Sequence, residues 1–579
     1  TIASRIEREY PKAASAEIPE LQLKGLDVRV IPLNEHIVGN VRRSLSVLFG
    51  AVLFVLLIGC TNLANLFLAR GASRTREFAV RAAIGAGRGR LIFQVLTESV
   101  TVALIGGAAG VLVAIMAIRG LKAFGPEDIP RLAETGIDGG VLLFTIGISL
   151  AAGIFFGLVP AWRVSRNDPN ETLKEGGRNA SEGRSGRRAH ALLVTAEFAM
   201  AVILLSGAGL LIRSFLAVLA IDPGFRPEHV LTVNIEFPYS MTQTRQEAFY
   251  RRAFERVAAL PGVQAAGAVS NLFFLNDART WGLRQVESRP PEPVGRWTQL
   301  VWTQVSGDYF RAMGIPLIKG RYFTDHDGPD SPPVAIVNQT LARRYWPGED
   351  AVGKRLKGFD PRGRNDEWVT VVAVVGDTHS YGLERQPISQ IYEAQMQRHE
   401  NTPQLVVRTA SDPARLAAAI RATVRAVDNT AVISNITTME QRLGEQTARR
   451  RFQTWLLGLF SALALALAAI GIFGVMHYSV AYRTHEFGVR MALGARAADV
   501  FGMVIRQGLL LAGIGVCAGI LGSLWLTQAL SGMLYGVTAR DPVTFFAVAF
   551  VLLATALSAC YIPARRATKV DPMVALRCD

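Results

Sequence analysis

Arg74-Thr-Arg-Glu77-Phe-Ala-Val-Arg81-Ala-Ala-Ile-Gly85-Ala86 returns without a gap, 409 residues later, as Arg483-Thr-His-Glu486-Phe-Gly-Val-Arg490-Met-Ala-Leu-Gly494-Ala495. Each copy follows one long apolar run and precedes another. In each, Glu and Arg stand four apart with Glu first, the favourable order for an ion pair along a helix. The Gly-Ala that closes each copy is a helix stop, because glycine enters the left-handed conformation at little cost. Each copy therefore reads as a short polar helix held between two membrane spans. The residues that define it are Arg74, Glu77, Arg81 and Gly85 in the first copy, and Arg483, Glu486, Arg490 and Gly494 in the second. A duplicated charge pattern points to a surface on which a partner docks. The plainer alternative is a pair of basic loops that only set orientation.

The apolar runs decide the class. Half of the 579 residues are hydrophobic, 19% are charged, and mean hydropathy is +0.26. Runs at 45–69, 91–118, 141–162, 190–212, 454–482, 500–530 and 543–562 are each long enough to cross a bilayer. The formal net charge is +15. Its arginines gather in short loops beside the apolar runs, which is how orientation signals are placed, and this argues against nucleic-acid binding. Loops 70–90, 163–188, 483–496 and 565–579 carry 6, 7, 3 and 4 Lys and Arg, against 3 and 1 in loops 119–140 and 531–542. The first set is expected in the cytoplasm, which puts residues 213–452 outside. No cysteine falls in 213–452, so no disulfide framework supports that part.

The pattern divides the chain into six parts. Residues 1–44 read as the C-terminal tail of a first outside domain, because 431–453 repeats their strand-then-helix order. Residues 45–175 form a first membrane module, 176–189 a cytoplasmic linker rich in Gly, Ser and Arg, and 190–212 the first span of a second module. Residues 213–452 are an α+β domain. Strand–helix–strand units at 230–269 and 404–436 bracket an inserted subdomain at about 275–400. Residues 453–579 complete the second module.

Gly348-Glu-Asp-Ala-Val-Gly353-Lys354 fits most of a phosphate-binding loop, but Arg355 stands where a magnesium-binding hydroxyl belongs, and a helical pattern rather than a strand precedes it. It reads as a turn. Glu98, Glu197 and Arg506 are ionisable groups inside apolar runs, functional by default. All three lie near the cytoplasmic ends of their spans, where side chains reach for the surface, and the structural reading is preferred. The eight His and four Cys do not fall at metal-ligand spacings, so no metal, catalytic residue or bound cofactor is expected.

At Glu77–Ala86 and Glu486–Ala495, with the endings Pro160-Ala-Trp-Arg163 and Pro563-Ala-Arg-Arg566 and the tails Asp168-Pro169 and Asp571-Pro572, the chain resembles the FtsX-type permease module, the membrane part of MacB-like ABC transporters. Val305-Ser-Gly-Asp-Tyr-Phe310, Met313-Gly-Ile-Pro316, Gly320-Arg-Tyr-Phe323, Tyr345-Trp-Pro-Gly348 and Gly353-Lys-Arg355 resemble the MacB-like periplasmic core domain. Two modules in one chain resemble the duplicated orphan permeases common in acidobacteria, here lacking one N-terminal span and most of one outside domain.

The resemblance implies a membrane α-helical bundle, seven spans in two FtsX-type modules, with an extracytoplasmic α+β MacB-like periplasmic core domain. It implies a multi-pass protein of the bacterial inner membrane that is not itself an enzyme. The expected partners are a separate cytoplasmic ABC ATPase dimer, which carries the ATP, and a periplasmic adaptor or substrate protein. Loops 70–90 and 483–496 would pass ATP-driven motion to the outside domain, for export, lipoprotein handling or cell-wall regulation. The alternatives are a non-transporting sensor or scaffold that keeps the fold, and a secondary transporter, which needs a charged site inside the membrane.

Overall fold

The structure is a computed structural model and describes residues 33–73, 81, 84, 87–124, 135–166, 184–237, 241–272, 280–290, 298–358, 367–398 and 404–569. Two compact units emerge: Ala220–Ala448, and a helical unit made of Leu33–Leu219 with Arg449–Asp579. The strand expected at 28–31, the linker 176–183 and the tail from residue 570 lie outside the described residues.

The helical unit contains α1 (Leu33–Ser73), α2 (Arg88–Phe124), α3 (Gly139–Arg166) and α4 (Arg184–Leu219). Six described helices are long and apolar enough to cross a membrane. The remaining expected span falls on α3, whose described apolar part is Gly139–Phe155. After the sheet unit come α10 (Met439–Tyr482), the short α11 (Thr484–Ala492), α12 (Ala497–Leu526) and α13 (Pro542–Ala567). α10 is one unbroken helix of 44 residues, roughly 66 Å at 1.5 Å per residue.

Small residues bring these helices together, as membrane helices require when lipid tails are as apolar as the side chains. On α12, a Cβ added at Gly515 would lie 2.6 Å from Phe198 Cβ, and one added at Gly519 would lie 2.5 Å from Val202 Cβ. α4 therefore sits against bare backbone. Gly153 and Gly157 of α3 press in the same way on Ser99 of α2. One core joins Ile58 of α1, Phe198 and Val202 of α4, Ile472 of α10, Phe487 of α11, Val516 of α12 and Leu552 of α13.

The other unit is built on an eleven-stranded sheet. Its outer part comprises β1 (Val230–Glu236), α5 (Gln243–Ala258), β2 (Val263–Val269), β10 (Gln404–Thr409), α9 (Ala417–Val427) and β11 (Val432–Thr438), in the spatial order β11-β1-β10-β2. Phe249, Ala253 and Val257 of α5, spaced as one helical face, pack with Ile420 and Val424 of α9 onto Val233, Ile235, Leu405 and Val407.

The inserted strands are β3 (Thr280–Val286), β4 (Thr298–Gly307), β5 (Leu317–Gly320), β6 (Val334–Asn338), β7 (Arg355–Gly358), β8 (Val369–Val375) and β9 (Gln390–Ala394). β4 continues the sheet from β2, and a parallel pairing of β4 with β9, Val301↔Gln390 to Val305↔Ala394, closes β4-β3-β7-β8-β6-β9 into a ring. Leu283, Leu300, Trp302, Val337, Leu356 and Ile391 fill it. The Gly348–Lys354 segment is a turn: Gly348 and Gly353 have φ of 77° and 87°, and Lys354 pairs with Glu349 at 2.8 Å. The helix Gln339–Tyr345 stands before it, as its sequence pattern predicts.

Candidate functional site

The second copy of the duplicated stretch folds into α11, and its sequence explains each feature. Glu486 lies in the first turn and Arg490 in the last, the placement that suits the helix dipole. Arg483 grips Glu486 with two nitrogens, Nε–Oε2 at 2.7 Å and Nη2–Oε1 at 3.0 Å. Arg490 Nη2 reaches Oε1 of the same carboxylate at 2.7 Å. The three charges the sequence singles out therefore form one network. That network is braced on α12, where Arg483 Nη1 donates to Gln507 Oε1 at 3.3 Å and Arg490 Nη1 lies 3.0 Å from Met503 Sδ. The hydrogen bond it donates to Glu486 keeps the Arg483 guanidinium above its ordinary pKa.

Gly494 ends the helix at φ 96°. Ala495 N donates to Arg490 O and Gly494 N to Met491 O, at 3.0 and 3.1 Å. This double closure needs a left-handed residue, which is the reason for glycine there. Asp499 then accepts from Arg496 N at 3.0 Å and starts α12. The short helix thus stands between α10 and α12 with tight turns at both ends.

In the first copy, Arg81 is described and donates from Nη1 to Gln94 Oε1 at 2.8 Å. Gln94 occupies the place that Met503 holds in the second copy. Arg74, Glu77 and Gly85 lie outside the described residues.

Phe487 is buried in the helical core, with Arg483 stacked over its ring at 5.3 Å. The exposed apolar residue is instead Leu493, 82% accessible, and its twin Ile84 is 81% accessible. The ungapped alignment pairs these two positions, directly before Gly85 and Gly494, and that pairing is the signal from which they were legible.

One finding departs from the sequence reading, at Glu197. Arg506 is exposed and Glu98 half-buried, in keeping with side chains reaching for the surface. Glu197 is fully buried. Depth along a span does not fix which way a side chain faces, and this one faces α1 and α10. Among the described residues no group of three or more His, Cys, Asp or Glu is arranged to hold a metal.

Comparison with known families places these elements. The model of the FtsX-like permease C-terminal region matches residues 49–169 and 458–572, each containing one copy of the charged stretch. The MacB-like periplasmic core domain matches 199–426, which takes in most of the sheet unit. The chain is a MacB/FtsX-like ABC transporter permease. Among relatives of the permease, the macrolide export ATP-binding/permease protein MacB of Marinobacter nauticus is 27% identical over 278 residues, covering 45% of this chain and 40% of that protein. The probable syringafactin export ATP-binding/permease protein SyfD of Pseudomonas syringae pv. tomato is 29% identical over 294 residues, covering 48% and 42%. The permease chain thus spans about two fifths of the length of these relatives. The periplasmic region of MacB from Actinobacillus actinomycetemcomitans aligns with 39% of this chain and 95% of its own at 13% identity, with a TM-score of 0.26.

Proposed function

We propose that this permease is the membrane subunit of a mechanotransmitting ABC transporter, taking motion from a separate cytoplasmic ATPase dimer and passing it to its extracytoplasmic sheet domain. The observation that carries the reading is the repeated pair Ile84 and Leu493. Large apolar side chains this exposed, at the same point of two copies of one charged stretch, fit the anchors a docking partner buries. The braced network of Arg483, Glu486 and Arg490 supports it. A push on α11 is passed to α12 through Gln507 and Met503, and to α10 across the turn at Arg483. The ATP belongs to the partner, the turn at Gly348–Lys354 being no nucleotide site. The two loops carrying Ile84 and Leu493 are read as cytoplasmic, on the Lys and Arg count.

The test is a double change, Ile84→Asp with Leu493→Asp. Both side chains are exposed, so folding and membrane level are expected to stay within about 0.5 kcal/mol of the parent. ATPase subunits that co-purify with the parent from its native membranes are expected to be lost. Retention of the ATPase at unchanged affinity would leave the loops as orientation signals, and absence of any ATPase from the parent preparation would favour the sensor or scaffold reading.

A further inference from the structure

The Glu197 carboxylate lies in the middle of a polar cluster that the coupling scheme does not use. α4 carries both Glu197 and His190, seven residues and hence two turns apart on one face. α1 brings Asn62 and Asn65 to that face, and α10 brings Gly471, Gly474 and Tyr478. His190 Nδ1 and Asn65 Oδ1 are 3.2 Å apart, and the His190 and Tyr478 rings face each other with centroids 5.9 Å apart. Asn62 is held by its Nδ2 donating to Leu467 O at 2.9 Å.

The carboxylate is aimed at Gly471. A Cβ placed there would lie 2.7 Å from Glu197 Oε1, still closer to Oε2, and 2.6 Å from Asn62 Oδ1. Glycine is therefore what lets these oxygens converge. Asn62 is the polar side chain nearest the Glu197 oxygens, which make no well-formed hydrogen bond among the described residues, and no basic side chain there is within ion-pair reach. Beside them, Asn62, Asn65, His190, Gly471 and Tyr478 line a cavity of about 30 Å³. That is room for a water molecule, which needs about 10–15 Å³ and at least two polar partners.

An isolated carboxylate in such a place is costly, and proteins meet the cost with a partner charge, a bound cation or a proton. The groups facing Glu197 decide between these. Beside it stand the neutral Asn62 amide from α1 and bare glycine backbone from α10, and across the cavity lie Asn65, His190 and Tyr478. α12 meets this stretch of α4 through Gly515 and Gly519. A hard metal cation wants about six or more oxygens, and the cluster converges only the carboxylate pair and Asn62 Oδ1 on one point. A water beside an imidazole and two carboxamides suits a proton.

We propose that Glu197 is a proton-binding site of the helical unit, exchanging one proton with solvent from the His190 end of α4 through a cavity water that Asn62 and Asn65 orient. On uptake, the cavity water gives its proton to Glu197, forming the Oε–H bond, and is reprotonated from solvent through His190. Release reverses each transfer, so the net change is one proton bound. Because the carboxylate rests on the Gly471 backbone, its charge state sets how closely α10 packs on α4 and α1, and α10 is the helix that leads into α11. The site stands whether or not an ATPase docks there.

Infrared difference spectra of the whole chain in lipid nanodiscs, stepped in pH, test this. The expected result is a carbonyl band of a protonated carboxyl that changes with pH, moves on exchange into heavy water and is absent in Glu197→Gln. Glu197→Asp keeps a carboxyl and is expected to return the band at a displaced position. His190→Phe is expected to slow deuterium exchange at the band several-fold. A spectrum with no band removed by Glu197→Gln, or a Glu197→Asp chain without a displaced band, would overturn the proposal. So would a band abolished by sodium at constant pH, which would identify a cation as the occupant.

Discussion

The two membrane modules descend from one sequence pattern, and the places where they differ are more informative than the pattern. Gly515 and Gly519 of α12 are buried against Phe198 and Val202 of α4. The equivalent positions on α2, by the same 409-residue offset, are Gly106 and Gly110. Both are exposed, and a Cβ at either would meet nothing within 4 Å. Leu104, Ile105, Leu112 and Val113 are exposed around them. The same small residues thus receive a helix in one module and face open space in the other. Glycine in a helix costs about 1 kcal/mol relative to alanine, and among the described residues no helix packs on this pair to offset that cost.

The largest expected effect follows from this contrast. Gly519→Leu forces a side chain into the α4 backbone, where Ala199 O would lie 2.8 Å from the new Cβ. Overpacking of this kind costs about 1–3 kcal/mol or more. Gly110→Leu should be neutral in the purified chain, or slightly stabilising through better helix propensity. Unfolding in mixed micelles measures both. Equal destabilisation by the two changes would break the comparison. Loss of Gly110→Leu protein only in native membranes would sharpen it, by showing that another helix covers that face there.

Which residues are twins was legible in the sequence, because the duplication is ungapped through these helices, but which twin a neighbouring helix covers was not. The spans, the short charged helix with its stop at Gly494 and the strand–helix–strand units around the insertion follow from periodicity and turn residues. The ring closed by β4 and β9 was not legible. It pairs strands about ninety residues apart, and local pattern does not encode partners. Nor was the role of Phe487, since a hydrophobic residue on a short polar helix serves a partner or its own core equally well until the neighbouring helices are placed.

The second contrast lies where α1 meets α10. Asn62 and Asn65 have Gly471 and Gly474 as their twins, so polar side chains in one module face bare backbone in the other. Gly471→Ala is expected to destabilise by about 1–3 kcal/mol, because the methyl would displace the Glu197 carboxylate or Asn62. Gly474→Ala, with nothing within 4 Å of its Cβ position, is expected to stay within about 0.5 kcal/mol of the parent. Thermal unfolding in detergent separates the two. If both were neutral, the polar cluster would be loosely packed and Gly471 would not be what shapes it.

The smallest expected effect concerns the brace behind each charged stretch. Arg81 rests on the Gln94 carbonyl oxygen at 2.8 Å, and Arg490 on the Met503 sulfur at 3.0 Å. An amide oxygen is a good acceptor for a guanidinium, whereas a thioether is a weak one. The first module therefore holds its arginine from α2. The second is held also by Glu486, which lies one turn before Arg490 and binds Arg483 as well. Glu486→Gln should loosen α11 by about 1 kcal/mol or less, since its carboxylate is partly exposed. Gln94→Met removes one charged hydrogen bond at Arg81, and Met503→Gln adds one at Arg490. Each change should make one module more like the other. Hydrogen exchange of the backbone amides reads this locally, with faster exchange around Arg81 in Gln94→Met and slower exchange in α11 in Met503→Gln. If Met503→Gln leaves α11 unchanged while Glu486→Gln frees it, the carboxylate alone orders the second copy. If neither change alters exchange, the turns at Gly494 and Arg496 fix the helix, and the charges remain for whatever docks against them.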